Sequence, residues 1–509
     1  VIKGKRILAA LAVALLLMGC APHGVIEVPR TYSTALDQEA ASSTYLGSWA
    51  QQAVAQHDGL SGLRLVIDGQ EAFGLRASMA AQAQRTLDVK TYILVDDEAG
   101  RALLKRLLHA ARSGVRVRFL LDDMTTLGQQ HMLASLDSHP NVEVRVYNPV
   151  PAGRGSWLSY HLVLVSDFNR LHRRMHNKLW AADGVVGLTG GRNLSNEYFE
   201  ISEEVNFSDL DVMAVGPVVD ELSASFDAYW NHPMAVPLSY FEPVPETAWQ
   251  SLLARFSVEG RADNALMSQS LDRYFVGEAG QALRDSLIWA PAMALWDLPE
   301  KLEAQGYPDL ELTLLGQLGD AFAELERRLL IISPYVVPTP EAMRYQQALA
   351  ARGVELTIIT NSIEATDHTA LHGAYAPWRP ILLERGAQLY EVRASPATRD
   401  EYAHLHTKAM AFDDDRIFIG SLNADPRAVW WNSEIGLLID SPILGRQLWS
   451  LAKQTMHPQL SYRVEMQEGR LVWHTEEGGE RVTLEQEPGS FWQHLPARAI
   501  RLLNIDHLL

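Results

Sequence analysis

Apolar and polar positions along this chain fall into one pattern that occurs twice. Leu87-Asp88-Val89-Lys90-Thr91-Tyr92-Ile93-Leu94 is a largely apolar run, after which apolar residues recur at helical spacing (Ala102, Leu103, Leu104, Leu107, Leu108, Ala111). Gly114 and a second apolar run at 115–121 follow. The same order returns as Leu330-Ile331-Ile332-Ser333-Pro334-Tyr335-Val336-Val337, a helical stretch at 342–351, Gly353 and a run at 354–360. Strand, helix, glycine stop and strand predict a βαβ unit, which pairs its strands in parallel and lays the helix on one face of the sheet. The repeat continues: Phe207-Ser208-Asp209-Leu210-Asp211-Val212-Met213 matches Asn432-Ser433-Glu434-Ile435-Gly436-Leu437-Leu438. A proline follows each acid by eight positions (Pro217, Pro442), and another lies sixteen further on (Pro233, Pro458). Both intervals have amphipathic spacing, with proline tolerated in the first turn of the predicted helix. The expected fold class is α/β, a duplicated domain whose copies each hold a mostly parallel mixed sheet flanked by helices.

The pattern also sets limits. The first copy is expected at 44–241 and the second at 310–460, with a polar, mostly helical connecting segment at 242–309. In the remaining 461–509, Arg470-Leu471-Val472-Trp473-His474-Thr475 and Arg481-Val482-Thr483-Leu484 flank Gly478-Gly479, which predicts a hairpin. The stretch from 491 onward is amphipathic and carries Trp492, so it is either a helix packed on the second domain or a membrane contact. At the other end, Lys3, Lys5 and Arg6 precede an apolar stretch at 7–18 that closes on Leu17-Met18-Gly19-Cys20. A basic start, a short apolar run and small residues predict a secretory signal at 1–19, too short to span a bilayer comfortably, with a linker at 20–43. The last four residues resemble a bacterial lipobox. That resemblance implies cleavage before Cys20 and its acylation, several chains together holding the protein on a membrane. The expected location is the periplasmic side of a bacterial membrane, lipid-anchored; Ala21 rather than Asp after Cys20 favours the outer membrane without settling it.

Charge and cysteine content narrow the function classes. Lys plus Arg number 44 against 62 Asp plus Glu, a net charge of −18. A balance this acidic repels phosphate backbones at long range, so no nucleic-acid partner is expected. Cys20 is the only cysteine, which excludes an intramolecular disulfide framework and a Cys-cluster zinc site.

The chemistry lies inside the repeat. His176-Asn177-Lys178-Leu179-Trp180-Ala181-Ala182-Asp183 is followed after six residues by Gly190-Gly191-Arg192-Asn193; His406-Thr407-Lys408-Ala409-Met410-Ala411-Phe412-Asp413 is followed after six by Gly420-Ser421-Leu422-Asn423. One His-x-Lys-x4-Asp match is weak, but two with identical offsets at equivalent places of a duplicated domain are strong. Alternation puts His and Lys on one face of a strand. Two facing pairs make a site with two imidazoles and two ammonium groups, suited to a phosphodiester. One neutral imidazole attacks phosphorus, the other as imidazolium protonates the leaving oxygen, and Lys178, Lys408, Asn193, Asn423 and Ser421 meet the phosphate oxygens. No metal and no cofactor are required. Asp209 and Glu434, at matched positions some thirty residues after their histidines, are candidates to orient each imidazole.

These paired motifs resemble the phospholipase D superfamily. Within it, Arg173-Arg174-Met175-His176-Asn177-Lys178, Glu197-Tyr198-Phe199, Thr360-Asn361-Ser362 and Gly420-Ser421-Leu422-Asn423-Ala424-Asp425-Pro426-Arg427 are similar to bacterial cardiolipin synthases, a likeness that covers nearly the whole chain beyond about Ser43. The resemblance implies two phospholipase D-like domains related by a pseudo-twofold, one shared active site and a phosphohistidine intermediate. It further implies transfer of a phosphatidyl group to phosphatidylglycerol, with phosphatidylethanolamine a candidate donor. The motif aspartates Asp183 and Asp413, grouped with the catalytic set by the motif, are by the same likeness structural. The chain departs from the superfamily pattern at Gly191, where the second motif has Ser421, so one phosphate-facing hydroxyl is expected to be missing. His176 is expected as nucleophile and His406 as general acid. A phospholipase D that passes the intermediate to water, yielding phosphatidic acid, is the near alternative. A non-catalytic lipid-binding lipoprotein is the distant one, disfavoured because both motifs keep His, Lys, Asp and Asn.

Further residues carry two readings each. His172, Arg173 and Arg174 are a lipid-facing run or a solvated face; His172 and His404 stand at metal-like spacings from the motif histidines, beside lysines that would repel a cation. Trp430 and Trp431 line an acyl-chain entry or fill the core. Tyr92 and Tyr335 are expected to pack at strand ends, and Asn361 and Ser362 to reach a ligand at the carboxyl edge of a sheet.

Overall fold

The computed structural model describes residues 26–151, 154, 163, 167–258, 274–394 and 404–503, the last six as backbone only. The expected signal at 1–19 and Cys20 lie outside the described residues. The first half contributes β1 (Ser61–Val66), β2 (Thr86–Thr91), β3 (Arg116–Asp122), β4 (Val142–Tyr147), β5 (Leu179–Ala182), β6 (Val186–Gly190), β7 (Phe207–Ser208), β8 (Asp211–Val215) and β9 (Ala235–Pro237). Next come β10 (Ile288–Ala290) and β11 (Ala292–Trp296). The second half follows with β12 (Arg328–Ile332), β13 (Glu355–Asn361), β14 (Gln388–Val392), β15 (His404–Leu405), β16 (Ala409–Phe412), β17 (Arg416–Gly420) and β18 (Ile435–Asp440). The chain ends in β19 (Ser461–Gln467), β20 (Arg470–Glu477), β21 (Glu480–Leu484) and the helix Phe491–Leu503.

Two large sheets result, in the orders β10-β1-β8-β6-β5-β2-β3-β4-β9 and β11-β18-β17-β16-β12-β13-β14-β19-β20-β21. The predicted βαβ units are their centres. Helix Glu98–Arg112 joins the parallel strands β2 and β3, capped by Asp97 and stopped at Gly114, whose φ of 96° suits glycine. Helix Pro340–Ala351 joins parallel β12 and β13 in the same way, with Thr339 as cap and Gly353 at φ 75°. The fold class is α/β and duplicated as expected, but the share of parallel pairing is smaller. In each sheet it is confined to three adjacent strands, β2-β3-β4 and β12-β13-β14. The reason is local: the segments carrying the His-Lys-Asp motifs return through tight turns as the hairpins β5-β6 and β16-β17, and tight turns make antiparallel neighbours.

The connecting segment also differs from expectation. Besides helices Ala248–Val258 and Gly277–Asp285 it holds β10, which pairs with β1 of the first sheet, and β11, which pairs with β18 of the second. Pro291 separates them. Lacking an N–H, it breaks the ladder at the point where the chain passes from one sheet to the other. The tail hairpin is present, with Gly478 and Gly479 both at positive φ, and it extends the second sheet through β14-β19 pairing, so no structural break falls at 460/461.

Helices Val218–Trp230 and Pro442–Thr455, the two predicted between prolines, lie between the sheets. There Leu63, Val212 and Phe226 of the first half pack in one buried core with Ile417, Leu437 and Leu448 of the second. The halves therefore share a core and face one another.

Each motif aspartate anchors its hairpin to the sheet. Asp183 turns the chain at φ 51°, fully buried, and its carboxylate accepts the backbone N–H groups of Gln84, Arg85 and Thr86 at 2.8–3.0 Å. Asp413, at φ 54°, accepts those of Glu326, Arg327 and Arg328 at 2.7–3.1 Å. These amides open β2 and β12, the central strands. Asp183→Ala leaves three N–H groups without an acceptor and is expected to cost roughly 3 kcal/mol of stability. Asp413→Ala should cost less, because Asp413 and Arg328 are only half-buried, whereas Asp183 and Thr86 are buried. Chemical unfolding of the two variants checks this; equal losses, or lost activity at undiminished stability, would contradict the anchoring role.

Candidate active site

The two motif histidines meet because the halves exchange backbone contacts. The His176 N–H donates to the Ser433 carbonyl at 2.9 Å, and the His406 N–H donates to the Ser208 carbonyl at 2.8 Å. Short β7 pairs in parallel with β15, and Met175 bridges Ser433. The residue before each histidine is tied to its own sheet by the side chain that ends the second parallel strand. Asp122 accepts the Met175 N–H at 2.9 Å, and Asn361 both accepts from and donates to the Leu405 backbone at 3.0 and 2.8 Å. Asn361, expected to reach a ligand, is thus a backbone clamp, and the Ser362 hydroxyl is buried without a partner among the described residues.

The exchange decides which acid orients which imidazole. His176 Nδ1 lies 2.8 Å from Glu434 Oε2, and His406 Nδ1 lies 2.6 Å from Asp209 Oδ2. Sequence order had paired each acid with the histidine of its own half; the fold swaps them, since the strand that carries each acid runs alongside the other half's motif. The two dyads are unequal. Ser421 donates its hydroxyl to Glu434, and also accepts the Ile435 N–H at 3.1 Å. It is therefore committed to the carboxylate, and the expectation of a phosphate-facing hydroxyl does not hold. At Gly191 a Cβ would stand 2.1 Å from Asp209 Oδ1. The shorter acid sits where the serine would have to be, which is the physical reason for glycine in the first motif.

Lys178 and Lys408 complete the cluster, both buried. Lys178 Nζ donates to the His176 carbonyl at 2.6 Å; Lys408 Nζ donates to the His406 carbonyl and stands 2.9 Å from His406 Nδ1. Each ammonium has three donors, so neither is exhausted. Burial, followed by the neighbouring lysine charges, holds His176 well below the usual imidazole range, and burial with Lys408 holds His406 at about 4. Burial brings Lys178 down to about 7 and Lys408 to about 8, and pushes Glu434 up to about 7. Burial also opposes ionisation of Asp209, but His406 and Lys408 outweigh it and keep that carboxyl below its ordinary value. One dyad thus holds a firmly charged acid and the other an acid poised near neutrality.

Aromatic rings enclose both imidazoles. Tyr92 meets His176 edge-on at 4.8 Å, so it is a wall of the site as well as a packing residue. Tyr198 and Phe207 meet His406 at 5.0 and 5.1 Å. Asn193 donates to the Tyr198 hydroxyl at 2.9 Å and accepts the Ile93 N–H at 3.1 Å, so it acts through Tyr198, whereas the buried Asn423 has its Oδ1 free of any partner among the described residues. Asp183 and Asp413 lie at the opposite ends of β5 and β16 from the lysines and do not join the site. His172 faces Arg427 at 3.2 Å, and Arg173 lies over Trp431 at 4.8 Å. Sequence reasoning missed the crossing, Tyr198 and Arg427. The last two stand in segments quoted for the family resemblance; the crossing has no sequence signal, since both halves carry matched acids.

Two outcomes follow from the crossed dyads. Glu434→Gln should move the ring-nitrogen resonances of His176, and Asp209→Asn those of His406, in heteronuclear NMR; the reverse assignment would contradict the crossing. Gly191→Ala should lower turnover at least about 100-fold by displacing Asp209, more than Ser421→Gly, which removes one hydrogen bond to an acid that stays in place. Steady-state kinetics of the two variants checks the order.

Comparison with known proteins agrees with this architecture. A family model described as "Cardiolipin synthase, PLD-like domain" matches residues 77–230 and 319–456, one segment in each half. Cardiolipin synthase C of Escherichia coli (strain K12) is 36% identical over 472 residues, covering 89% of this chain and 98% of that protein. Cardiolipin synthase A of Pseudomonas syringae pv. syringae (strain B728a) is 26% identical over 384 residues, covering 74% and 65%. Among solved structures, phosphatidylserine synthase of Haemophilus influenzae Rd KW20 shares the fold with a TM-score of 0.57 at 14% identity, covering 90% of this chain and all of that one. With both halves matched and each supplying one His-Lys pair to a common centre, the chain belongs to the cardiolipin synthase family of phospholipase D-like domains.

Proposed function

We propose that the chain is a phosphatidyltransferase that makes cardiolipin from phosphatidylglycerol and a second phospholipid, phosphatidylethanolamine being the candidate donor. One observation carries this reading: two buried imidazoles, each held through Nδ1 by an acid of the opposite half and each beside a buried lysine. With Nδ1–H donated to the acid, chemistry falls to each Nε2, that of His406 facing the Tyr198 hydroxyl at 3.5 Å.

His176, kept neutral, attacks phosphorus through Nε2, forming an N–P bond as the P–O bond to the donor headgroup breaks. His406 gives that oxygen its proton. Burial and Lys408 hold His406 at about 4, so its proton depends on its partner Asp209, the firmly ionised acid, together with the anionic phosphodiester that binds beside it. Glu434, near neutrality, completes its ionisation as His176 becomes phosphoimidazolium. Lys178 and Lys408 offset the charge that builds on the non-bridging oxygens. In the second half-reaction neutral His406 takes the proton of a phosphatidylglycerol hydroxyl, whose oxygen displaces His176. The buried, aromatic-walled site limits water, which favours transfer over hydrolysis. In this reading an acylated Cys20 would hold the enzyme at the periplasmic face of the outer or inner membrane. No helix among the described residues is long and apolar enough to cross one.

Vesicles of phosphatidylethanolamine and phosphatidylglycerol test the reading: cardiolipin supports it, phosphatidic acid alone makes the enzyme a hydrolase, and no product leaves a lipid-binding protein. His406→Ala should trap a phosphatidyl-enzyme and His176→Ala should not; the opposite result would exchange the two roles. For the pH profile, an acid with a raised pKa is ionised only above about 7, so kcat/KM should rise through that pH as Glu434 ionises. It should fall on the alkaline side as Lys178 and Lys408, lowered to about 7 and about 8, lose their protons. Glu434→Gln should remove the acid limb and keep the alkaline one.

A further inference from the structure

The two halves are not equally filled. In the first, helix Glu98–Arg112 seats Leu103, Leu104, Leu107 and Leu108 on the sheet, each at most 1% exposed. In the second, the equivalent helix Pro340–Ala351 buries Met343, Gln346 and Leu349 alone. Beneath it lies a cavity of about 410 Å³, walled almost wholly by apolar side chains of β12, β13 and that helix. Ile331 records it: in the centre of β12, hydrogen-bonded to neighbours on both sides, it is only half-buried and lines the cavity. A void this size in a protein core is normally filled, and an apolar chamber of a few hundred Å³ with polar groups at one end is what ligand sites look like.

The cavity has two ends with different chemistry. At one stand Asn423 and Asp425, the first with a buried Oδ1 that has no partner among the described residues and the second within electrostatic reach of Lys408 and Glu434. Asn423 follows by two residues Ser421, which shares the Glu434 carboxylate with His176. At the other end stand Trp430, which packs edge-on against Tyr307 at 5.5 Å, and Leu310, with Tyr307 62% and Leu310 51% exposed. The chamber is thus lined both by the segment that follows Ser421 and by side chains that reach the surface.

We propose that this cavity receives one acyl chain of a phospholipid substrate while the phosphate lies at the histidines. The inference rests on the phosphatidyltransferase reading and adds where the chain of the bound lipid goes. The polar end meets the glycerol and ester region, the apolar walls take the methylenes, and the open mouth lets the chain enter sideways from a membrane. Among the described residues the first half fills the equivalent place with leucines, so the two substrate lipids are bound by different means although the histidines are paired.

Ile331→Trp fills the chamber from the sheet, and Ala342→Trp narrows it from an exposed position on the helix, where folding is not at stake. With dioleoyl substrates kcat/KM should fall tenfold or more in both variants, while dihexanoyl substrates turn over within twofold of the unmodified enzyme. Binding of a phospholipid with a pyrene-labelled acyl chain, read by fluorescence without turnover, should weaken in parallel. Equal losses on long and short chains, or no loss on either with unchanged probe binding, would overturn the proposal. Should the unmodified protein transfer neither lipid, the functional reading fails and the probe alone decides: weakened binding in Ala342→Trp upholds the chamber, unchanged binding removes it.

Discussion

The exchange of carboxylates between the halves is the interaction on which the rest of this protein depends. Neither half holds a complete acid–imidazole pair: Glu434 serves His176 and Asp209 serves His406, at 2.8 and 2.6 Å. The shared core between the sheets, the β7-β15 pairing and the Met175–Ser433 bridge all hold the halves in the register that makes this exchange possible. Buried charges are tolerated only when paired and hydrogen-bonded, and separating the halves would break both acid–imidazole pairs and open their shared core to water. The duplication is therefore one cooperative centre, and its two copies could not act apart.

Within that near-symmetry the two sides have diverged by one carbon. A longer acid, Glu434, stands far enough from its strand to take a hydrogen bond from Ser421; a shorter one, Asp209, occupies the space itself and demands glycine at 191. That difference accompanies opposite shifts in the two acids, Glu434 raised and Asp209 lowered. A reaction that needs one neutral and one protonated imidazole requires such inequality, and a perfectly symmetric pair would not supply it. The asymmetry extends outward to the unfilled chamber under the helix Pro340–Ala351. The net charge of −18 does not contradict a cationic centre, because the lysines are buried and their field is local, whereas the acidic surplus acts only over roughly 10 Å of screened solvent.

Much of this was legible in the sequence, and for identifiable reasons. Periodicity is a local property, so the βαβ units, their glycine stops, the helices between prolines and the tail hairpin could be read from spacing. The His-Lys-Asp motifs were legible because they occur twice at fixed offsets. What could not be read is pairing between distant segments. The limited share of parallel strands, β10 and β11 adding an edge to each sheet around Pro291, and the diversion of Ser421, Asn193 and Asn361 from ligand to scaffold all depend on which backbone lies alongside which.

The sequence by itself therefore determined that the chain is a duplicated α/β protein with two imidazole–ammonium pairs, and the family likeness alone assigned the motif aspartates a structural role. Only the tertiary structure decided which acid serves which histidine, which polar side chains remain free, and where an acyl chain could lie. The physical reason is that those are contacts between residues up to 258 positions apart, whose identity in a matched repeat is degenerate until the two sheets pack face to face.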